Sequence, residues 1–161
     1  MVDITPNARV LLMLGEVAIE PWQCIAELID NSIDGYLRDP NYNDEVMKIE
    51  IHLPSEEDLD NGLGEIIVSD YAPGMDKEVV ADSVRAGLSG NDGYDRLGLF
   101  GMGFNIATAK LGTKAKIQSS KTNDDQIYWL EIDPYALLEH SKINPNQKFE
   151  APDGFLPKSE I

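Results

Sequence analysis

AELIDNSIDG, residues 26–35, lies in a helical segment that opens at Pro21 and runs to about Arg38. At 100° per residue its side chains divide into an apolar face and a polar face. The apolar face contains Trp22, Ile25, Ile29, Ile33 and Tyr36, and the polar face contains Glu27, Asn31, Asp34 and Arg38. The simplest interpretation of the polar face is the solvated side of an amphipathic helix.

Asn31 favours a second interpretation. Asparagine is a poor helix former, yet it stands in mid-helix here, between Glu27 one turn before and Asp34 one turn after. Its amide oxygen is a hard ligand that suits a hydrated magnesium ion. A carboxylate one turn away can take a proton from an ordered water.

A second cluster follows the apolar segment EIIVSD (65–70), which predicts a strand buried on both faces. Asp70 at its end is either an ordinary turn residue or a buried acceptor for an exocyclic amine. The following residues, Ala72-Pro73-Gly74, let the backbone approach a flat base, and Met75 can pack on that base.

A third cluster is the glycine-rich segment GLFGMG (98–103), which runs directly into the predicted helix FNIATAKLG, ended by Gly112. Helix N-termini attract phosphate through unpaired N–H groups and the positive end of the helix dipole. The pattern GxxxxGK[ST] is absent, and the dinucleotide fingerprint fails because its third glycine would fall at Ile106.

Taken in order, the three clusters resemble the Bergerat ATP-binding fold of the GHKL superfamily (gyrase, heat-shock chaperone, histidine kinase, MutL). The similar segments are AELIDNSIDG (26–35), VSDYAPGM (68–75) and GLFGMGFNIATAKLG (98–112), and IDNSIDG and GLFGMGF are closest to the microrchidia and heat-shock chaperone branch. The resemblance implies an α+β two-layer sandwich with a mixed, mostly antiparallel sheet, helices on one face and an ATP lid.

The resemblance also implies roles for single residues, with ATP and Mg²⁺ as the bound groups. Glu27 stands at the position of the catalytic general base, Asn31 at that of the magnesium ligand, and Asp70 at that of the acceptor for the adenine amino group. Asp34 either contacts a metal-bound water or makes a structural hydrogen bond. The other implied contacts are Gly74 and Met75 at the adenine, and Gly98, Gly101, Gly103 and the amide of Phe104 at the phosphates.

Two features depart from the family pattern. Ala72 replaces the first glycine of the family's Asp-x-Gly-x-Gly box, and no late strand with a Gly-Thr step is recognisable. We therefore expect one domain over residues 1–161, with an irregular tail at 141–161, that is a fragment or a minimal version of a larger protein. The missing late strand weakens the prediction of ATP hydrolysis more than the prediction of ATP binding.

The rest of the chain predicts local structure around these clusters. The expected elements are a strand at 47–53, a short helix at 76–87, a hairpin of TKAKIQSS and QIYWLEI around KTNDD, and a helix in DPYALLEH capped by Asp133. The segment at 88–103 contains Asn91, Asp92 and Arg96, and it corresponds to the lid of the family.

Composition limits the partners. The formal net charge of −16 repels nucleic acid and anionic lipid, so we expect neither DNA binding nor membrane binding from this segment. The single cysteine, Cys24, is interpreted as a buried structural thiol. The start MVDITPNARV has no basic leader, and we expect a cytoplasmic protein.

Three functions remain open on the sequence. The first is an ATPase that couples ATP binding and hydrolysis to lid closure or dimerisation, with ATP and ADP as ligands and a second copy or other domains as partners. The second is a histidine-kinase catalytic module, although neither His52 nor His140 stands in the setting of a phospho-acceptor. The third is a nucleotide sensor that does not hydrolyse ATP.

Overall fold

A computed structural model describes residues 9–39, 47–84, 103–143 and 150–160. The helices in chain order are α1 (Arg9–Leu14), α2 (Pro21–Leu37), α3 (Glu56–Asp60), α4 (Lys77–Ser83), α5 (Gly103–Leu111) and α6 (Pro134–Ile143), and a short 3-10 helix follows at Lys158–Glu160. The strands are β1 (Ile49–His52), β2 (Ile67–Asp70), β3 (Ala115–Ser119), β4 (Gln126–Ile132) and β5 (Asp153–Pro157). The fold is α+β, as predicted.

Two helices begin where their capping residues predict. Pro21 occupies the first turn of α2, where its missing N–H costs no helical hydrogen bond, and the N–H of Glu20 donates to the Gln23 side chain at 3.0 Å. Asp133 caps α6 by accepting hydrogen bonds from the N–H groups of Tyr135 and Ala136 at 3.0 and 2.9 Å.

The described strands form two antiparallel sheets, one of β1 and β2 and one in the order β3-β4-β5. Ile49 lies opposite Asp70 in the first sheet, and the predicted hairpin of β3 and β4 places Ser119 opposite Tyr128 in the second. The parallel part of a mixed sheet is not found among these strands. The predicted lid, residues 88–103, lies outside the described residues except for Gly103.

β5 corrects the prediction of an irregular tail at 141–161. Asp153–Pro157 pairs with β4, with Leu156 opposite Ile127. The prolines of this segment pointed to irregular structure, but β5 is an edge strand of its sheet and Pro157 is its last residue. A proline is tolerated at such a position because no further ladder hydrogen bond is required of it.

β2 is more exposed than its apolar sequence predicts. Ile67 is 44 % exposed, so the expectation of a strand buried on both faces is wrong. Within the described ranges the β1–β2 sheet has two strands, and α2 contacts β2.

The core of the second sheet lies under α4, and α5 packs against both α2 and α1. Val80 of α4 is fully buried against Tyr128 and Leu130 of β4. The hydroxyl of Tyr128 donates to the Asp153 carboxylate at 2.6 Å. Burial, together with this hydrogen bond, raises the pKa of Tyr128 to about 12.

We predict that Tyr128→Phe lowers the free energy of unfolding by about 1 kcal/mol at pH 7, because one buried hydrogen bond is lost. A raised pKa in the folded state contributes stability that is complete below the pKa of an unfolded tyrosine, about 10, and is lost as the pH rises through the folded value. The difference between wild type and Tyr128→Phe should therefore narrow above about pH 10, as measured by denaturant unfolding. Tyr135→Phe, at a 56 % exposed tyrosine, is the control. A difference that stays constant to high pH would contradict this assignment.

Candidate functional site

The buried side of α2 differs from the predicted apolar face. Cys24, Ser32 and Tyr36 are the buried residues of this helix, whereas Trp22 is 67 % exposed. Cys24 is small and fully buried, which suits the close packing of α5 beside α2. The thiol of Cys24 is the buried structural group that was expected.

Glu27 lies directly against the first residue of α5. A β-carbon added to Gly103 would collide with the carboxylate of Glu27 and would approach its Cγ to 3.0 Å. The contact therefore requires glycine at position 103. It places the predicted general base at the N-terminus of the predicted phosphate-binding helix, although the two residues are far apart in sequence.

Burial raises the pKa of Glu27, and the neighbouring carboxylates of Asp30 and Asp34 raise it further. All three residues lie on α2 within two turns. A half-buried carboxylate beside two others holds its proton more strongly than a solvated one. Such a group is a better proton acceptor once it is deprotonated.

Asn31 is exposed one turn after Glu27, and Asp34 is half-buried on the next turn. Glu27, Asn31 and Asp34 of the predicted polar face therefore lie on α2, and Arg38 follows its last residue as the C-cap. In the described ranges, no group of three or more His, Cys, Asp or Glu side chains is arranged to hold a metal ion.

Asp70, the last residue of β2, takes part in local turn chemistry. One of its carboxylate oxygens accepts a hydrogen bond from the N–H of Ala72 at 3.0 Å. The side chain is exposed rather than buried, and its role as an acceptor for an exocyclic amine stays a prediction. This bond is the turn contact that the first interpretation predicts, and the second carboxylate oxygen takes no part in it.

Gly74 needs to be glycine for a reason that the sequence did not reveal. Its φ is +79°, which side chains rarely adopt, and a β-carbon there would collide with the carbonyl of Ser120. Met75 is half-buried, and its N–H donates to the hydroxyl of Ser119 at 2.8 Å. Lys121 binds Asp76 at 2.7 Å. The loop after Asp70 is thus attached to the end of the β3–β4 hairpin, more than forty residues away in sequence.

The α2 helix also meets this loop directly. A β-carbon added to Gly35 would lie 3.3 Å from the Cβ of Ala72. Ala72 is the residue that departs from the family's glycine box, and its methyl group faces a residue that has none. The structure therefore brings the first and second clusters together through two small residues.

The third cluster is described only at its end. Gly103 and Phe104 form the start of α5 and are half-buried. Gly98 and Gly101 lie outside the described residues, as do Asn91, Asp92 and Arg96. A cavity of about 310 Å³ lies at the opposite end of α5, between Gly15, Lys110 and Tyr135, and no predicted site residue lines it.

A family model described as "Histidine kinase-, DNA gyrase B-, and HSP90-like ATPase" matches residues 19–154. The matched range includes all three sequence clusters and most of the chain. No curated protein matches the sequence. Among the residues that the structure describes, no helix has the length and apolar character to cross a membrane.

We predict that Gly103→Ala displaces the Glu27 carboxylate while the fold is retained. The far end of a glutamate side chain can move, and alanine favours a helix over glycine by up to about 1 kcal/mol. The pKa of Glu27 should then fall toward that of an ordinary glutamate, as observed by NMR titration of the side-chain carboxyl carbons. Gly112→Ala is the control at the other end of α5, because its β-carbon would come no closer than 3.4 Å to the carbonyl of Lys114. An unchanged Glu27 titration in Gly103→Ala would show that this contact does not hold the carboxylate.

Proposed function

The chain belongs to the family of histidine kinase-, DNA gyrase B- and HSP90-like ATPases, which implies ATP binding, and we propose that it binds ATP together with Mg²⁺ and hydrolyses it. The observation that carries the proposal is the contact of Glu27 with Gly103. A proton acceptor at the N-terminus of a helix lies where a phosphate would bind.

The phosphates are proposed to bind at the start of α5. The N–H groups of its first turn have no partner within the helix, and they form the positive end of its dipole. Gly103 and the amide of Phe104 would contribute there, and Gly98 and Gly101 are proposed to complete the cradle. Because Gly103 has no side chain, Glu27 can approach the same region from α2.

The adenine is proposed to bind at the loop after β2. Asp70 would accept a hydrogen bond from the exocyclic amino group through the carboxylate oxygen that Ala72 does not use. Gly74 and Met75 would lie beside the base. Their backbone is already held by Ser119 and Ser120, so the loop would need little ordering when the base binds.

Asn31 and the phosphates are proposed to hold Mg²⁺. Mg²⁺ usually binds through one or two protein oxygens, substrate phosphates and waters. An exposed amide oxygen fits that chemistry, and a dedicated cluster of carboxylates is not required. The ion would neutralise phosphate charge. Asp34 on the next turn would accept hydrogen bonds from water in this region.

Glu27 is proposed to orient the attacking water and to take up its proton. Burial, followed by the neighbouring carboxylates of Asp30 and Asp34, raises the pKa of Glu27 and thereby its basicity. Hydrolysis coupled to lid closure or to dimerisation would then be the activity of the larger assembly. A nucleotide sensor would share every binding residue but would lack turnover.

We predict that Mg-ATP stabilises the protein by about 2.7 kcal/mol at a hundredfold excess over Kd, measured as a shift in thermal unfolding.

Asp70→Asn keeps an oxygen that can accept from the Ala72 N–H, so the turn should remain. Losing a hydrogen bond to a charged group should nevertheless weaken ATP binding by roughly tenfold or more. Asn31→Ala should weaken binding only when Mg²⁺ is present.

The controls for these variants are Asp60→Asn and Asn61→Ala, both at the exposed end of α3. A wild-type protein that shows no thermal shift with ATP or ADP would refute nucleotide binding. Equal affinities of wild type and Asp70→Asn would leave Asp70 as a turn residue only.

We predict that Glu27→Gln retains ATP affinity and lowers the hydrolysis rate by ~10²–10⁴, measured as phosphate release at saturating ATP. In the wild type the rate should rise as the pH increases through the raised pKa of Glu27, because only the carboxylate accepts a proton. Asp30→Asn should move this acidic limb to lower pH. Glu139→Gln, at an exposed glutamate of α6, is the control. Binding without turnover in the wild type would favour the sensor.

A further inference from the structure

One side chain joins the end of α2 to both strands of the first sheet. The hydroxyl of Tyr36 donates to the carbonyl of Lys48 at 2.8 Å, and it accepts from the N–H of Lys48 at 3.2 Å and from the N–H of Tyr71 at 2.9 Å. A phenolic hydroxyl has one proton to donate and two lone pairs to accept with, so these bonds use its full capacity.

The two partner residues lie at one end of the β1–β2 pair. Lys48 precedes β1, Tyr71 follows β2, and the register places Ile49 opposite Asp70. The hydroxyl therefore holds the end of the sheet that carries Asp70. Tyr36 itself is only 5 % exposed and follows Asn31 on α2 by little more than one turn.

A steric contact accompanies these hydrogen bonds. A β-carbon built on Gly35, the neighbour of Tyr36, would lie 3.3 Å from the methyl group of Ala72, so the two residues are close. The α2 helix thus meets the loop after Asp70 in two ways. One is the set of hydrogen bonds made by the Tyr36 hydroxyl, which we call the clamp, and the other is a close apolar contact. Both contacts act on the distance between the polar face of α2 and Asp70.

We propose that Tyr36 is a positioning residue of the nucleotide site. It sets the distance from the phosphate end of the site, with Glu27 and Asn31, to the adenine end, with Asp70. The inference rests on the proposed function. ATP is the ligand that has to engage both ends at once, and a site held at the right spacing avoids the cost of ordering when it binds. Ligands that occupy only one end do not need that spacing.

The test compares Tyr36→Phe with Tyr128→Phe. Both variants keep the ring and lose one buried hydroxyl, but Tyr128 bonds to Asp153 in the other sheet. Calorimetry would measure the affinities for Mg-ATP, for adenosine and for Mg-tripolyphosphate. Tyr36→Phe should weaken Mg-ATP binding by roughly tenfold and change the two shorter ligands by less than about threefold. Tyr128→Phe should leave all three affinities near wild type.

A double-mutant cycle separates positioning from general destabilisation. If Tyr36 acts by placing Asp70, most of the loss of ATP affinity in Tyr36→Phe should disappear when Asp70→Asn is already present. Additive losses in the double variant would overturn the proposal. So would an ATP affinity in Tyr36→Phe equal to that in Tyr128→Phe.

Amide hydrogen exchange tests the clamp without any ligand. The N–H groups of Lys48 and Tyr71 should exchange faster in Tyr36→Phe than in Tyr128→Phe, because both lose their acceptor. Unchanged exchange at these two amides would overturn the clamp, whatever the nucleotide data. If the wild type bound neither ATP nor ADP, the proposed function would fail, and with it the positioning role. Exchange would then still show whether the clamp exists.

Discussion

The contact between the carboxylate of Glu27 and the α-carbon of Gly103 is the constraint around which the site is arranged. It exists only because residue 103 has no β-carbon and because α2 and α5 approach each other closely. The fully buried Cys24 on α2 and the nearly fully buried Ala107 on α5 are small enough to permit that approach. At the other end of α5, Gly15 comes so close that a β-carbon would lie 2.8 Å from the carbonyl of Ala109. The same close packing thus sets the position of α1.

The loop after Asp70 is held from two sides by different chemistry. From α2 it meets the Tyr36 hydroxyl and the bare backbone of Gly35. From the β3–β4 hairpin it meets the hydroxyl of Ser119 and the carbonyl of Ser120. A loop bound in this way has few conformations left to lose when a ligand binds, so its backbone is preorganised. The ion pair between Lys121 and Asp76 is open to solvent, with side chains 51 % and 39 % exposed, and it adds little stability to the loop.

Local signals in the sequence predicted the parts of the structure that local chemistry decides. Pro21 marked the start of α2, and Asp133 marked the start of α6, because each acts within its own helical turn. Contacts that join distant segments left weaker signals. Tyr36 was assigned to an apolar face, since nothing in its neighbourhood predicts that its hydroxyl meets Lys48 and Tyr71. β5 was read as irregular because its prolines act locally, whereas its pairing with β4 is a distant contact. The site residues themselves were identified by resemblance, and only the structure shows that Glu27 touches Gly103.

A strongly negative chain can bind the proposed anionic ligand because the carboxylates of α2 and the proposed phosphate site lie on opposite sides of the contact between Glu27 and Gly103. On α2, burial raises the pKa of Glu27, and the nearby carboxylates of Asp30 and Asp34 raise it further. Phosphate would be repelled from this face if it stood alone. The first turn of α5, on the other side of Gly103, presents N–H groups and the positive end of a helix dipole. A divalent cation near the exposed amide of Asn31 would reduce the remaining repulsion. In this arrangement the burial of Glu27 beside Asp30 and Asp34 makes it a stronger base, and the negative charge of the same group of carboxylates favours a nearby cation.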